Sequence, residues 1–319
     1  MEYNNLHQVY LDQNKLEGFR NFISAWIYAD ANSAFVVDPG PLTTIPVLLE
    51  ELHRLGVRRL DYVLLTHIHI DHAGGTGELL RHFPEAMVVC HPAGIRHMCE
   101  PKALWEGSLK VLGHVARAYG EIIPVPVEKI ISTSRLEDLP VDVLQTPGHA
   151  AHHLSFIFDD LLIAGEVAGV CCNTPKGIYM RPATPPRFDL DIALTSLSKV
   201  MQRRPQRMIF AHSTMQDDAM RHLEAARQQL YMWVGGEAHL FQEHKGREKA
   251  ETPQEEELRQ FMYAWLLSHD PLFAPIESMP EDIHAREMYF FGNSIRGMSE
   301  YVANLDQPRR EELTAHAGA

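Results

Sequence analysis

Cysteine is scarce. Four thiols (Cys90, Cys99, Cys171 and Cys172) in 319 residues make no disulfide framework, and the adjacent Cys171 and Cys172 pair poorly with each other. Basic residues are also short, 29 Lys and Arg against 42 Asp and Glu, for a formal net charge of −13. That balance argues against a broad surface for nucleic acid or an anionic membrane. No apolar run approaches the ~18 residues that a membrane helix needs. The opening Met1-Glu2-Tyr3-Asn4-Asn5 has no basic segment followed by an apolar core, so no signal peptide is evident and a reducing cytoplasm is expected. No Gly-x-Ser-x-Gly elbow, glycine-rich phosphate loop or dinucleotide fingerprint is present to compete for the function.

Histidine, by contrast, is abundant at 19 residues. The densest stretch is Thr66-His67-Ile68-His69-Ile70-Asp71-His72-Ala73-Gly74-Gly75, directly after the apolar run Tyr62-Val63-Leu64-Leu65. In extended chain, residues two apart point the same way, so His67 and His69 can grip one ion together. A turn after Ile70 would aim Asp71 and His72 at a second ion nearby. Gly74-Gly75 is expected to let the backbone turn tightly into a helix from Glu78 to His82. Four such side chains converging without a cation would compete for desolvated space and for the same protons.

Further strand ends carry similar groups. Antiparallel strands are expected at Phe22–Tyr28 and Ser33–Val37, the second ending at Asp38-Pro39-Gly40, where Asp38 either shapes the turn or orients a ligating imidazole. A helix over 43–56 and a strand at 61–65 follow, and Met87–Cys90 is a strand closing on His91, a rim residue or substrate contact. Helices fill 93–120, with Trp105, Leu109, Leu112 and Val115 on one apolar face. The strand Val141–Leu144 leads to Thr146-Pro147-Gly148-His149, where the bend presents His149 outward to complete a three-imidazole site with His67 and His69. Of the next pair, His153 is expected behind the ligands and His152 exposed. Leu161–Ala164 runs into Gly165-Glu166, a carboxylate costly to bury unpaired at the end of so apolar a strand. Arg207–Ala211 closes on His212.

In this order of motifs the chain resembles the metallo-β-lactamase superfamily, in its glyoxalase-II-like and general hydrolase branch. The resemblance covers about residues 20–215 and implies an α/β (α+β) fold, the four-layer αββα sandwich, with metals at one edge. It implies His67, His69 and His149 as one metal site and Asp71, His72 and His212 as a second, with Glu166 bridging where the family usually has Asp. Two divalent ions are implied, Zn first and Fe or Mn acceptable to the same donors. They would activate a shared water against an ester, thioester, lactone, amide or phosphoester, with Asp71 orienting it and shuttling a proton. His91-Pro92-Ala93-Gly94 and the proline-rich Arg181–Asp189, a stiff loop expected to overhang the site, match a smaller subset of the same superfamily.

The same fold also hosts iron redox enzymes, of flavodiiron or persulfide dioxygenase type. The flavodiiron pattern has Glu where this chain has His69. A non-catalytic binding module would have lost ligands, and none is missing. Lys245, Arg247 and Lys249 are interleaved with glutamates and read as a solvated helix end rather than a glutathione-binding cluster. The expected organisation is a metallo-β-lactamase domain at 1–215 and a helical extension at 216–319, with helices at 217–229, 252–268 and 280–304, packed on the core or at a homodimer interface. The expected partner is a small-molecule substrate, with no nucleic acid and no membrane.

Overall fold

The computed structural model describes residues 5–132, 141–245 and 255–318. Its first sheet comprises β1 (Leu6–Tyr10), β2 (Ser24–Ala29), β3 (Ala34–Val37), β4 (Tyr62–Leu64), β5 (Met87–Cys90) and β6 (Ile130–Ser132), in that spatial order. The pairs β1–β2 and β2–β3 are antiparallel, and β3 to β6 are parallel. Parallel neighbours need crossover connections. These contain α1 (Ile45–Arg54), α2 (Ile70–Ala73), α3 (Thr76–His82), α4 (Pro92–Cys99), α5 (Lys102–Leu112) and α6 (His114–Tyr119).

The second half contributes β7 (Asp142–Gln145), β8 (Leu154–Phe158), β9 (Leu161–Gly165), the hairpin β10 (Val170–Thr174) and β11 (Gly177–Arg181), α7 (Leu190–Met201), β12 (Arg207–Phe210) and β13 (Met215–Gln216). The second sheet has the order β13-β12-β9-β8-β7, with β9 and β12 parallel. Among the described residues, four α-helices follow, α8 (Ala219–Lys245), α9 (Glu255–His269), α10 (Glu281–Asn304) and α11 (Gln307–Thr314). Among the described residues, no helix is long and apolar enough to cross a membrane.

Strand alternation builds the layers. Val36, Val63 and Val88 join Leu48, Leu52, Leu79, Met98 and Val115 in a core between the first sheet and its helices. Their neighbours Phe35, Val37, Leu64 and Val89 meet Leu154, Phe156, Leu161, Ile163 and Ile209 between the two sheets. Leu162, Ala164, Met208 and Phe210 pack against Leu197, Leu223, Trp233 and Phe291 of α7, α8 and α10. Both sheets are therefore covered on both faces, which is why their strands read as nearly continuous apolar runs. The result is the four-layer αββα sandwich.

Several details differ from the sequence-based expectation. Val115 leaves the Trp105 face because Gly113, at φ +56°, breaks the helix before it. Helix α8 extends to Lys245, well past 229, and the hairpin β10–β11 and helix α11 carried no clear periodicity. Gly74 and Gly75, with helical φ values of −58° and −86°, join α2 to α3, which starts at Thr76 rather than Glu78. Glycine is needed at 75 for close approach: a Cβ there would lie 2.4 Å from Ile45 Cδ1 and 3.0 Å from Gly40 O. The expected helix start at Thr252 and the side chains of Lys245, Arg247 and Lys249 lie outside the described residues.

Helix α10 is anchored by a buried ionic triad. Glu287 lies 2.7 Å from Arg181 Nε and 2.8 Å from Arg286 Nη2, with the Tyr179 hydroxyl at 3.2 Å. Burial pushes the Glu287 carboxyl up, but the two guanidiniums outweigh it and hold it down at about 2. Its folded value is thus below its ordinary one, so its stabilisation is present above about pH 4.3 and is lost as pH falls toward 2. Glu287→Gln should cost about 3–5 kcal/mol in urea unfolding at pH 7 by leaving two buried cations under-compensated. It should also flatten the acid limb of stability between pH 4 and 2, and an unchanged limb would contradict the assignment.

Candidate metal centre

Seven side chains arrive from separate chain turns at one edge of the sandwich. His67 and His69 follow β4, Asp71 and His72 lie in the first turn beyond them, His149 follows β7, Glu166 follows β9, and His212 lies two residues beyond β12. They fall into two groups, His67, His69, His149 and Glu166 in one, and Asp71, His72 and His212 in the other. Within each group the potential ligand atoms lie within 4.8 Å of one another.

Glu166 faces both groups. Its Oε2 is 3.2 Å from His67 Nε2, 3.0 Å from His149 Nε2 and 3.6 Å from His72 Nε2, while its Oε1 is 3.6 Å from His212 Nε2. Asp71 Oδ2 is 3.4 Å from His72 Nε2 and 3.8 Å from His212 Nε2. His69 Nδ1 and His149 Nε2 face each other at 3.0 Å.

The surrounding residues set ring orientations. Asp38, held in the left-handed region at φ +48°, accepts from Thr66 N at 2.8 Å and from Thr66 Oγ1 at 2.6 Å. With its proton committed to Asp38, the Thr66 hydroxyl accepts from His67 Nδ1 at 3.0 Å, which leaves the His67 Nε2 lone pair facing the cluster. Asp38 Oδ2 also lies 3.5 Å from His72 Nδ1. His149 Nδ1 is 3.1 Å from the Ala183 carbonyl of the proline-rich loop, which does reach the site. His153 Nε2 accepts from Glu166 N at 2.9 Å, with Thr146 Oγ1 2.8 Å from its Nδ1.

The site is buried and electrostatically tense. Burial pushes the Glu166 carboxyl up, yet His149 and His212 together hold it well below the usual range. Burial drives His69 down to about 3 and His212 to about 4. Burial also lowers His72, but Asp71, Asp38 and Glu166 outweigh it and raise the ring to about 9. The carboxylates thus attract positive charge that most of the rings cannot carry as protons. His67 Nε2, both His72 ring nitrogens and His212 Nδ1 are buried without a hydrogen-bond partner among the described residues. Buried, unpaired nitrogens beside ionised carboxylates, with no thiolate, fit a divalent cation of Zn, Fe or Mn type.

The sequence profile of the metallo-beta-lactamase superfamily matches residues 18–212. The chain belongs to this superfamily. A metallo-beta-lactamase fold-containing protein of Sulfurisphaera tokodaii is 31% identical over 195 residues, 56% of this chain and 73% of that one. A hydroxyacylglutathione hydrolase of Xylella fastidiosa is 34% identical over 147 residues, 46% of this chain and 45% of that enzyme. The crystal structure of an archaeal superfamily protein from Sulfolobus tokodaii superposes with a TM-score of 0.63 at 22% identity, over 93% of this chain and 98% of that one. As a superfamily member, the chain has the fold and the ligand-type cluster together.

One histidine sits elsewhere than expected. His152 is half-buried rather than exposed. Its Nδ1 faces Ile68 N at 3.4 Å, and its ring stands 5.6 Å from that of His69, because the short turn after His149 folds it back over the first cluster. His91, expected at the rim or against substrate, is half-buried, contributes no atom to either group and caps α4, accepting from Ala93 N at 3.1 Å. Thr66 and Thr146 also support the histidines. Their only signal is a polar residue closing an apolar strand just before a histidine turn.

Glycine at 165 is required by both conformation and space. At φ +60°, an added Cβ would lie 2.4 Å from His153 Nε2 and 2.9 Å from Thr66 Cβ. Gly165→Ala should displace the His153–Glu166 contact, weaken Zn²⁺ uptake about 10-fold or more and cost about 1–3 kcal/mol. Chelator-competition titration and urea unfolding read the two effects, and wild-type Zn²⁺ affinity in this variant would refute the role of the contact.

Proposed function

We propose that this chain is a hydrolase that uses two divalent cations, Zn²⁺ first, on a small ester, thioester, lactone or phosphoester. The observation that carries this reading is the Glu166 carboxylate, which faces both ligand-type groups at once. His67, His69 and His149 would hold one cation, Asp71, His72 and His212 the other, and Glu166 would bridge them. Cations so held supply Lewis-acid charge that brings the pKa of a water toward neutrality and offsets a developing oxyanion.

The chain's own groups divide the remaining tasks. Asp71 is the most exposed of the carboxylates in the site, with 15% of its side chain open, so it faces arriving substrate. Burial pushes it up, but His72 and His212 hold it below the ordinary range. A carboxylate that stays ionised is a good hydrogen-bond acceptor and a weak proton store, so Asp71 orients the attacking water more than it shuttles protons. His152, half-buried above the first cluster and lowered to about 4 by burial and then His149, is neutral at pH 7 and offers a ring nitrogen at the mouth. The acidic balance of the chain supports a small substrate rather than a polyanion.

The test is a hydrolysis screen over lactones, thioesters and phosphodiesters with metal-replaced protein, beside metal analysis of protein purified without added metal. About two Zn or Mn per chain, with His69→Ala reducing turnover about 10²-fold or more, is the expected result. Turnover that survives His69→Ala would remove the chemistry from this cluster. One iron per chain with dioxygen uptake would replace hydrolysis by the redox chemistry of the same fold.

A further inference from the structure

His212 is held differently from His67, His149 and His72. His67 Nδ1 meets Thr66 Oγ1 at 3.0 Å and His149 Nδ1 meets Ala183 O at 3.1 Å, while His72 Nδ1, without a hydrogen bond among the described residues, faces the Asp38 carboxylate at 3.5 Å. His212 turns Nε2 toward Asp71 and Glu166, and its buried Nδ1 has no hydrogen-bond partner among the described residues. A ligating imidazole ordinarily has its orientation fixed by a hydrogen bond from its other nitrogen. Here packing must fix it.

The packing partner is Phe22, only 1% exposed, whose ring lies on that of His212 with centroids 4.2 Å apart and planes 19° from parallel. The Arg286 guanidinium stands over the same phenyl ring, 4.0 Å from its centroid. Two groups each that close to one centroid cannot share a face, so the phenyl ring is sandwiched between the guanidinium and the imidazole. Arg286 is itself fixed by Glu287 Oε1 at 2.8 Å and by the Gly18 carbonyl at 2.6 Å. The backbones are clamped as well: Ser213 N donates to Phe22 O at 3.0 Å, and Ser24 N to Ala211 O at 3.2 Å. Ser213 is held at φ +78°, a conformation that persists only where its surroundings impose it.

We propose that Phe22 is the positioning residue of the second cation site. It sets the plane of His212, so that Nε2 points where Asp71 and His72 point, and Arg286 holds Phe22 in turn. The proposal rests on the two-cation reading above.

The test is stepwise Zn²⁺ binding to metal-free protein by calorimetry and chelator competition. The variants are Phe22→Leu and Phe22→Met, which keep apolar volume and lose the flat ring. Phe19→Leu is the control, because Phe19 meets Phe22 edge-on at 5.8 Å and serves the same core. In the Phe22 variants the second step should weaken about 10–100-fold while the first stays within about threefold. Phe19→Leu should leave both steps as in the wild type. A second step unchanged in both Phe22 variants would overturn the positioning role alone. Equal weakening of both steps in Phe22→Leu and Phe19→Leu would also overturn it, as a general loss of stability. A wild-type chain that takes one cation would instead overturn the two-cation reading, and this proposal with it.

Discussion

The carboxylate of Glu166 is the interaction on which the rest of the site depends. Four imidazoles from three separate stretches of the chain stand within 3.0 to 3.6 Å of its two oxygens. Without negative charge there, ring nitrogens such as those of His69 and His149 would face each other at 3.0 Å with nothing to hold them. At an effective dielectric near 20, unit charges about 4 Å apart attract by about 4 kcal/mol, similar to the several kcal/mol lost when one ion leaves water. One carboxylate therefore does not settle a pocket of this kind. Asp71 adds a second negative charge, and divalent cations would complete the balance that protons on buried rings supply poorly.

The placement of these groups follows from strand direction. Strands β3 and β4 are parallel, as are β9 and β12, so their carboxyl ends lie side by side. Asp38 and His67 leave the first pair, and Glu166 and His212 leave the second. The inter-sheet core of Leu64, Ile163 and Ile209 sets the separation of the sheets, at about 10 Å for such packing. Direct backbone bonds close the same edge, Leu154 N to Thr66 O at 2.6 Å and Ser24 N to Ala211 O at 3.2 Å. The gap between the sheets is thus narrow enough for one glutamate to span from its strand end to both clusters.

The ligand-type residues were legible because each breaks an apolar strand with a polar side chain of metal-binding type, and because four lie within six residues. The layers were legible from strand-length apolar runs. What stayed hidden was contact made over long separations. The half-burial of His152 rests on Ile68 N, 84 residues away in the chain, meeting its Nδ1, a contact that nothing local announces. His91 is a different case, because its nitrogen is committed locally, to the first turn of its own helix. The break at Gly113 was visible as a glycine but not as a left-handed one, since helices tolerate glycine at a cost of only about 1 kcal/mol.

The contribution of α10 was the least legible, and it reaches both clusters. The superfamily match ends at residue 212, before this helix begins. Yet Arg286 stacks on Phe22, which stacks on His212 beside the second group. On the other side, Ser294 Oγ donates to Pro182 O at 2.9 Å and Thr184 Oγ1 to Ser294 O at 3.1 Å. Those two bonds pin the loop whose Ala183 carbonyl orients His149 in the first group. Glu287 joins the two arms, because it pairs with Arg286 on one side and with Arg181, the last residue before that loop, on the other. One helix outside the matched region therefore bears on a ring in each group, through residues that touch no ligand-type atom.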